Sequence, residues 1–457
     1  MYGPRPLGVA LAAALIALAW AASAAAERPS VLARVAPGVA AEGLGPTARP
    51  ALPPGVVRGL ERRAGRALPA LRRWYRVPAA SAAGARRLAR ALDVRPGVTA
   101  GLAARLAPPP ATCRVPPPGG WPVVSAGAPT PDLTPFQDHR AGLAIPPGAA
   151  GAGVTIADVE YDWRPSHEEL VARTLPAAVA PPGGLDPSFH ATEHGTAVLA
   201  VLGAADDGRG VSGLAPAAEL RPLSPFSVTG AYELQAAIAV TAAGLQPGDV
   251  LLVEQQILVD LDPAPAVERL VLAPVEADAF ARDVVAAAAA AGIVVVEPAG
   301  NEGVDLASLG RPWLAIAAGE AGHSGALMVG AGGSGLSLSG DLGTAARSNH
   351  GRRVDVQGYG EGVVTAGYGE GWSPAGDRAY TACFDGTSSA AATVAGAVAV
   401  LQGVLEAAGR APLTPAIVRE RLVATGLPQP VGETRFIGPR PQVAPAAALA
   451  LTAAPAP

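Results

Sequence analysis

The stretch GTSSAAATVAGAVAVLQGVLEA, residues 386–407, opens with a glycine and continues as a long run of small apolar side chains. This run predicts a helix over 387–407 that is apolar on all sides and therefore lies in the core. Ser388 falls in the first turn, where its hydroxyl is presented at the helix end. Because a serine hydroxyl is a weak nucleophile until a base removes its proton, a partner has to be sought elsewhere in the chain.

Three further stretches supply candidate partners. The tripeptide HGT opens a predicted helix over 194–202, and its His194 is a candidate base. The tetrapeptide PAGN follows a predicted strand over 294–296, and its Asn301 could donate a hydrogen bond to an oxyanion. The stretch GAGVTI leads into Glu160, a carboxylate that could hold the imidazole in one tautomer.

Strands and helices alternate from residue 149 onward, which is typical of a mainly parallel sheet. The strands are nearly continuous apolar runs, as expected for strands buried on both faces. Strands are predicted at 154–159, 250–253, 294–296 and 326–330, and helices at 194–202, 232–243, 277–291, 387–407 and 413–424. The order predicts an α/β fold.

In this order, the four stretches resemble the subtilase family of serine peptidases (peptidase family S8), over residues 130–450. SGALMVGA at 324–331 is similar to the strand that follows the oxyanion asparagine of the family, and SNHG at 348–351 is similar to one of its turns. The resemblance implies a subtilisin-like three-layer α/β/α fold with a mainly parallel sheet. It also implies a serine endopeptidase, since the chain order of acid, histidine and serine is that of subtilisin.

The resemblance assigns a role to each candidate residue. His194 is the base, Ser388 the nucleophile and Asn301 the oxyanion donor, with either Glu160 or Asp158 as the catalytic acid. The implied substrate-binding residues are Glu254, Gln255, Gln256, Ala299 and Gly300.

The acid position departs from the family, which has an aspartate there. Glu160 stands at the matching place, seven residues after Gly153 and seven before His167, and its extra methylene needs only about 1–1.5 Å of give. Asp158 lies on the same strand face, about 6.6 Å further back. That is too far for a direct hydrogen bond to the imidazole unless the strand is shifted, so we favour Glu160. Asp158 could instead bond near Glu160 and raise one pKa if both carboxyls are buried.

The wall of the P1 pocket departs as well. VEQQ, residues 253–256, replaces the family's S-L-G phrase with larger polar side chains. A narrowed or acidic pocket follows, and with it an expected preference for small or basic P1 side chains.

Residues 1–26 have the features of a signal peptide. Arg5 precedes an apolar run over 7–20, and Ala-Ser-Ala at 22–24 suits signal peptidase. The alternative is a retained membrane anchor, because the apolar run nearly spans a bilayer. Cleavage is favoured, which predicts a secreted or periplasmic protein with no membrane attachment after signal removal.

Residues 27–112 are predicted to form a small α+β unit whose end runs into a Pro-rich linker at 107–118. The catalytic domain is expected at 113–457. The unit includes a helix at 81–92, with its first residue, a serine, as cap, and a last strand at 98–106. It resembles the subtilase propeptide, an inhibitor and folding helper, and is the implied partner of the catalytic domain besides peptide substrates.

The same unit carries 15 arginines and four acidic residues on an otherwise acidic chain. Its charge would assist docking on the acidic catalytic domain. Nucleic-acid binding is the alternative use of that charge. We do not expect it, because the unit lacks interleaved aromatic residues.

No cofactor is expected. The sequence shows no Cys/His metal spacing, and the His-Glu pair at 167–168 lacks the second histidine of a zinc motif. Calcium is common in the family, but no ligand loop is legible. The two cysteines, Cys113 and Cys383, either pair or remain free thiols.

Three rival interpretations compete with an active peptidase. An inactive subtilase used for binding is favoured by the altered acid and wall and opposed by the intact serine, histidine and asparagine. A dinucleotide site at GAGGSG, residues 330–335, lacks the required helix. An α/β-hydrolase esterase would need a G-x-S-x-G elbow, which the sequence does not contain.

Overall fold

The structure is a computed structural model that describes residues 29–107, 109, 122, 127–180, 185, 189–227, 230–260, 270–334, 337, 339–369 and 375–452. The predicted signal peptide, nearly all of the Pro-rich linker, and Cys113 lie outside these residues.

The first unit of the described chain is a four-stranded antiparallel sheet with two helices. Its strands are β1 (Ser30–Val35), β2 (Arg49–Pro50), β3 (Trp74–Pro78) and β4 (Val98–Leu102), and its helices are α1 (Pro54–Ala64) and α2 (Ala82–Asp93). The strands pair in the order β2-β3-β1-β4. The Ser81 hydroxyl accepts a hydrogen bond from the Gly84 N–H and so caps α2, as the sequence predicts.

The remaining elements form a larger domain. Its strands are β5 (Arg105–Leu106), β6 (Thr155–Val159), β7 (Glu219–Leu223), β8 (Val250–Val253), β9 (Gln256–Asp260), β10 (Leu270–Pro274), β11 (Val294–Pro298), β12 (Leu327–Gly332), β13 (Val356–Tyr359), β14 (Val363–Ala366) and β15 (Tyr380–Phe384). Its helices are α3 (Asp138–Gly142), α4 (Ala191–Gly203), α5 (Leu234–Gly244), α6 (Ala279–Ala290), α7 (Gly386–Ala407), α8 (Pro415–Thr425) and α9 (Val443–Thr452).

A parallel sheet lies at the centre of this domain, in the order β13-β12-β11-β8-β6-β7. Helices α4, α7, α8 and α9 contribute to the apolar core on one face, while α5 and α6 cover the other. The layers are therefore α/β/α, as predicted. The long helix α7 is the innermost of the helices, because its side chains are buried over nearly its whole length.

The predicted strands and helices are all present in the described residues, with ends that shift by a few residues. The exception is the strand expected up to Leu106, which breaks after Leu102. The break occurs because Arg105 and Leu106 leave the N-terminal sheet and pair with Leu258 and Ile257 of β9. The sequence did not predict this second pairing, which joins β10, β9 and β5 into a separate small sheet.

Among the described residues, α7 is the one helix long and apolar enough to cross a membrane. Because 94% of its most apolar window is buried inside the protein, it is accounted for as the core helix.

Candidate active site

Glu160 follows β6 directly, at the carboxyl end of a strand in the sheet interior. His194 is the fourth residue of α4, which packs on the same face. Gly195 allows the two to approach, because a Cβ at that position would overlap the Glu160 Cγ and the Asp162 carbonyl oxygen. The absence of a side chain at position 195 therefore leaves room for the longer acid.

The Glu160 carboxyl holds the imidazole of His194. Its Oε2 lies 2.9 Å from His194 Nδ1, and its Oε1 accepts a hydrogen bond from the Tyr161 N–H at 2.7 Å. An ionised carboxylate can only accept, so Nδ1 carries the proton and Nε2 has a free lone pair. That tautomer is the one a general base requires.

Burial controls the protonation of this pair. Both side chains are fully shielded from solvent. Burial raises the pKa of Glu160 well above its ordinary value, against the opposing hydrogen bond from Tyr161. Burial also lowers the pKa of the His194 imidazole to about 3. The imidazole therefore stays neutral, and able to accept a proton, at a pH where an ordinary histidine is already charged.

Two aromatic rings fix the orientation of the imidazole. The rings of Phe384 and Tyr161 meet the His194 ring edge-on, at centroid distances of 5.5 and 6.1 Å. The sequence analysis assigned no role to either residue. Their positions offered a signal, since Tyr161 follows the acid directly and Phe384 is two residues before the glycine that opens α7.

Ser388 is the third residue of α7, and its side chain is nearly buried. Within the part of the chain that the structure describes, His194 Nε2 has no hydrogen-bond partner. The Ser388 hydroxyl weakly opposes the rise in the pKa of the Glu254 carboxyl, whose oxygens have no hydrogen-bond partner among the described residues. The candidate nucleophile and base are thus on neighbouring elements without being bonded to each other.

Asn301 is held at the entrance of α7. Its Oδ1 accepts a hydrogen bond from the Thr387 N–H at 2.9 Å, and its Nδ2 donates to Gln256 Oε1 at 3.2 Å. The Gly300 N–H donates to Thr387 Oγ1 at 3.2 Å. Asn301 Nδ2 therefore points toward β9, and a substrate oxyanion would compete with Gln256 for it.

Asn349, in the SNHG turn, supports the loop that carries Asn301. Its Nδ2 donates to the Ala299 carbonyl oxygen at 2.9 Å, and its Oδ1 accepts from the Glu302 and Val304 N–H groups at 3.1 Å each. The sequence analysis noted this turn only as a resemblance, and the structure gives it a positioning role.

Of the predicted substrate-binding residues, Gln255 and Gln256 flank the start of β9. Gln255 is bonded internally, since its Nε2 donates to the Val159 carbonyl oxygen and its Oε1 accepts from the Tyr232 hydroxyl at 3.0 Å.

Two further predicted substrate-binding residues, Ala299 and Gly300, belong to the PAGN loop. Gly300 has a φ of +96°, which favours glycine, and a Cβ there would collide with the Asn349 amide. Ala299 is fully buried behind it. Both residues thus shape the loop that carries Asn301.

The chain segment after β4 pairs with the edge of β9. β5 pairs antiparallel with β9, and the carbonyl oxygen of Ala107 accepts a hydrogen bond from the Tyr161 hydroxyl at 2.9 Å. Ala107 is fully buried. This segment is bound as an added strand, the geometry in which extended peptides bind to a sheet edge.

Three carboxyls share one face of the central sheet. Asp158 pairs with Leu252 across β6 and β8, so Glu160 and Glu254, two residues further along each strand, project to the same side. All three are buried. Neither Asp158 nor Glu254 has a hydrogen-bond partner for its carboxyl oxygens among the described residues.

The pKa directions follow from this crowding. Burial, reinforced by Glu160, raises the pKa of Asp158 well above its usual range. Burial, reinforced by Asp158 and Glu160 and opposed by Ser388, does the same for the pKa of Glu254. The Glu254 carboxyl thus faces the nucleophile.

No cluster of three or more potential metal ligands occurs among the described residues. Cys383 is disulfide-bonded, which excludes a free thiol at that position.

A parallel sheet covered by helices on both faces, together with a serine, a histidine and an acid at the ends of the strands and helices, defines a serine-type peptidase. The sequence profile of the Subtilase family matches residues 181–438, more than half of the 457 residues. The chain therefore belongs to the subtilase family.

Two solved structures show the same fold. A protease from Pseudoalteromonas arctica PAMC 21717 is 22% identical, with a TM-score of 0.50 over 70% of this chain and 99% of that one. Fervidolysin from Fervidobacterium pennivorans, a keratinolytic enzyme related to subtilisin, is 16% identical, with a TM-score of 0.58 over 92% of this chain and 61% of that one. No curated protein sequence matches the chain significantly.

Proposed function

We propose that the protein is an exported serine endopeptidase, made as a precursor, with Ser388 as nucleophile, His194 as base and Glu160 as the acid. The observation that carries the assignment is the contact of 2.9 Å between Glu160 Oε2 and His194 Nδ1. Asp158, the rival acid, has no hydrogen-bond partner in the described residues. No cofactor is part of the proposal.

The reaction would start when His194 Nε2 accepts the Ser388 proton while the hydroxyl oxygen attacks the peptide carbonyl. Glu160 stabilises the imidazolium that forms. Asn301 Nδ2, released from Gln256, would donate to the oxyanion, and one such donor is worth about 2.7–4 kcal/mol in the transition state. The imidazolium then protonates the leaving amine, and water hydrolyses the acyl-enzyme by the same steps.

The N-terminal unit would act as an inhibitory propeptide. Trp74 stacks on Phe280 of α6 at 4.8 Å and donates a hydrogen bond from Nε1 to Asp283 at 2.9 Å. Arg76 forms an ion pair with Glu233 just before α5. These contacts support a docked unit that delivers β5 and its following residue into the groove, with the cut for maturation in the linker that follows.

The competing proposal is an inactive subtilase that binds peptides without cleaving them. It is favoured by the hydrogen bond between Asn301 and Gln256, which engages the oxyanion donor, and by the unbonded Nε2 of His194 in the described part of the chain. When substrate binds, an active enzyme would have to break the hydrogen bond between Asn301 and Gln256 and form one to His194 Nε2.

A fluorophosphonate probe, which labels only activated serines, separates the two proposals. We expect wild type to be labelled and to hydrolyse casein, and Ser388→Ala to lose both properties. Glu160→Ala should lose far more activity than Asp158→Ala. A folded wild type that neither labels nor cleaves would favour the binding protein, and a larger loss in Asp158→Ala would reassign the acid.

The natural substrate can be narrowed with a peptide library. Small or basic P1 side chains are our expectation, because VEQQ at 253–256 places larger polar side chains where the family has its S-L-G phrase. A preference for large apolar P1 residues would contradict it.

A further inference from the structure

Glu254 is the unusual residue of this site. It follows β8 directly and projects to the face of the sheet on which Asp158, Glu160 and α7 lie. Its N–H donates to the Val159 carbonyl oxygen at 3.1 Å, which fixes the backbone beside the acid. The direction of the side chain is therefore set by strand pairing, and it leads toward the first turn of α7.

The groups that act on the Glu254 carboxyl, among the residues that the structure describes, include no basic side chain. They are Asp158 and Glu160 from β6 and its end, and the Ser388 hydroxyl from α7. Tyr161, beside Glu160, also senses its charge. His194 from α4 can become a cation, and it is already bonded to Glu160.

The number of charges in the cluster is limited. Three ionised carboxyls would place three negative charges in a buried space with a single imidazole, and an uncompensated buried charge costs several kcal/mol. Glu160 has two hydrogen bonds to its oxygens, so it is the one best suited to hold the charge. Asp158 and Glu254 are then neutral acids, each with one proton to donate.

A neutral and an ionised Glu254 would act on Ser388 in opposite ways. The acid can donate its O–H to Ser388 Oγ, which leaves the serine proton free to point at His194 Nε2. The carboxylate can only accept, so it would attract the serine proton and turn the hydroxyl away from the base. Within the described residues neither His194 Nε2 nor either Glu254 carboxyl oxygen has a hydrogen-bond partner, so the Ser388 hydroxyl is bonded to neither group and can turn to one or the other.

We propose that Glu254 is a positioning residue for the nucleophile, which aims the Ser388 hydroxyl at His194 as a neutral acid and withdraws it when ionised. The peptidase would thus be switched off as the pH rises. This inference rests on the proposed function, because it assigns Ser388 and His194 their roles.

The test compares Glu254→Gln, whose amide can donate to Ser388 but cannot ionise, with wild type across about pH 4 to about pH 10. The readout is the rate of fluorophosphonate labelling, with Glu219→Gln, an exposed acid, as the matched control. We expect Glu254→Gln to retain labelling and to lose the decline at high pH, which amounts to about tenfold or more at the alkaline end. Glu254→Ala, without a donor, should label more slowly at every pH.

Two results would overturn the proposal. Either the Glu254→Gln profile superimposes on that of wild type, or the folded Glu254→Gln protein is not labelled at all, which would make the carboxylate the required form. If wild type itself is never labelled, the proposed function fails and infrared spectroscopy decides the protonation of Glu254. A protonated-carboxyl band present in wild type at neutral pH and missing in Glu254→Gln supports a neutral acid, and its absence from wild type contradicts one.

Discussion

Two buried groups of acids lie on opposite faces of the central sheet, and they are built differently. One consists of Asp158, Glu160 and Glu254, beside the candidate nucleophile. The other consists of Glu276, Glu297 and Asp355, around the fully buried guanidinium of Arg353. We call them the site acids and the core acids. Each contributes three carboxyls with almost no solvent exposure, so burial alone does not distinguish them.

Compensation distinguishes Glu276 and Asp355 from the site acids, whereas burial and the neighbouring Glu276 raise the pKa of Glu297 well above its ordinary value. Arg353 donates hydrogen bonds to Glu276 at 3.1 Å and to Asp355 at 2.9 Å, and its Nη2 lies 3.7 Å from Glu297. Arg419 adds a second guanidinium 3.3 Å from Asp355. Although burial opposes it, Arg353 keeps the pKa of both Glu276 and Asp355 below their ordinary values. Among the described residues, the site acids lie beside the His194 imidazole, and no arginine shifts their pKa values.

The difference shows what each group is for. The charges of Glu276 and Asp355 are compensated and stabilise one conformation of the sheet edge, which is a structural role. Of the site acids, Asp158 and Glu254 tend to keep their protons because no cation compensates them among the described residues, and groups that retain protons near neutral pH are suited to proton transfer. Removing the cation from the core acids, or an ionisable group from the site acids, would break this contrast.

The largest effect is expected for Glu160, the site acid whose carboxyl oxygens form hydrogen bonds to His194 and Tyr161. Glu160→Gln keeps the size of the side chain but presents a donor to Nδ1, which favours the wrong tautomer of His194. In a Ser-His-Asp triad, the equivalent change of the acid to its amide lowers kcat by about 10⁴. We expect a loss of this order in kcat for peptide hydrolysis. An unchanged kcat in a variant of normal stability would remove Glu160 from the triad.

The next largest effect is expected at the core acids. Arg353→Met leaves the buried charge of Glu276 uncompensated and leaves Asp355 with Arg419 alone of its two guanidinium partners, so it should lower the free energy of unfolding by about 3–5 kcal/mol. Denaturant unfolding in the Ser388→Ala background, which prevents self-cleavage, measures it. Arg221→Ala, which breaks a solvent-exposed pair with Glu219, serves as control and should cost at most about 1 kcal/mol. Equal losses in both variants would contradict the contrast.

A smaller effect is expected for Asp158→Asn, and it is visible in how steeply the free energy of unfolding changes with pH. Its raised pKa means that the native state holds a proton which the unfolded state releases above about pH 4. The stability of wild type therefore falls as the pH rises from there, by about 1.4 kcal/mol per pH unit until the native carboxyl also ionises. The variant lacks this contribution, so its unfolding free energy should fall less steeply. Parallel stability profiles from about pH 5 to about pH 8 would rule out a neutral Asp158.

The smallest effect is expected at charges that are only partly shielded. Arg34 lies 3.4 Å from Asp283 across the interface of the N-terminal unit, with a third of its side chain exposed. Salt screens such pairs, so inhibition by added segment 27–112 should weaken several-fold at high ionic strength, and less so in Asp283→Asn. Inhibition constants that do not change with salt would show that Trp74 and the apolar contacts dominate docking.

Much of the fold could be predicted from the sequence because its signals are local. Apolar runs marked β6, β8, β11 and β12, and the run of small residues marked α7. Short strands such as β9, β10 and β5 were not predicted, because their pairing depends on partners far away in the chain. Arg105 and Leu106 pair with β9 instead of continuing β4. No local sequence pattern predicts this, since an extended segment can pair with either sheet.

The order and spacing of His194, Asn301, Ser388 and Glu160 match one family, so the linear chain already reveals which residues could form the site. What each acid does cannot be read from that order. The contact between Glu160 and the imidazole, and the direction of Glu254 toward the nucleophile, arise only on folding, since strand register sets where each carboxyl points. Burial then sets their pKa values, and burial belongs to the packed molecule, in which distant segments exclude water together.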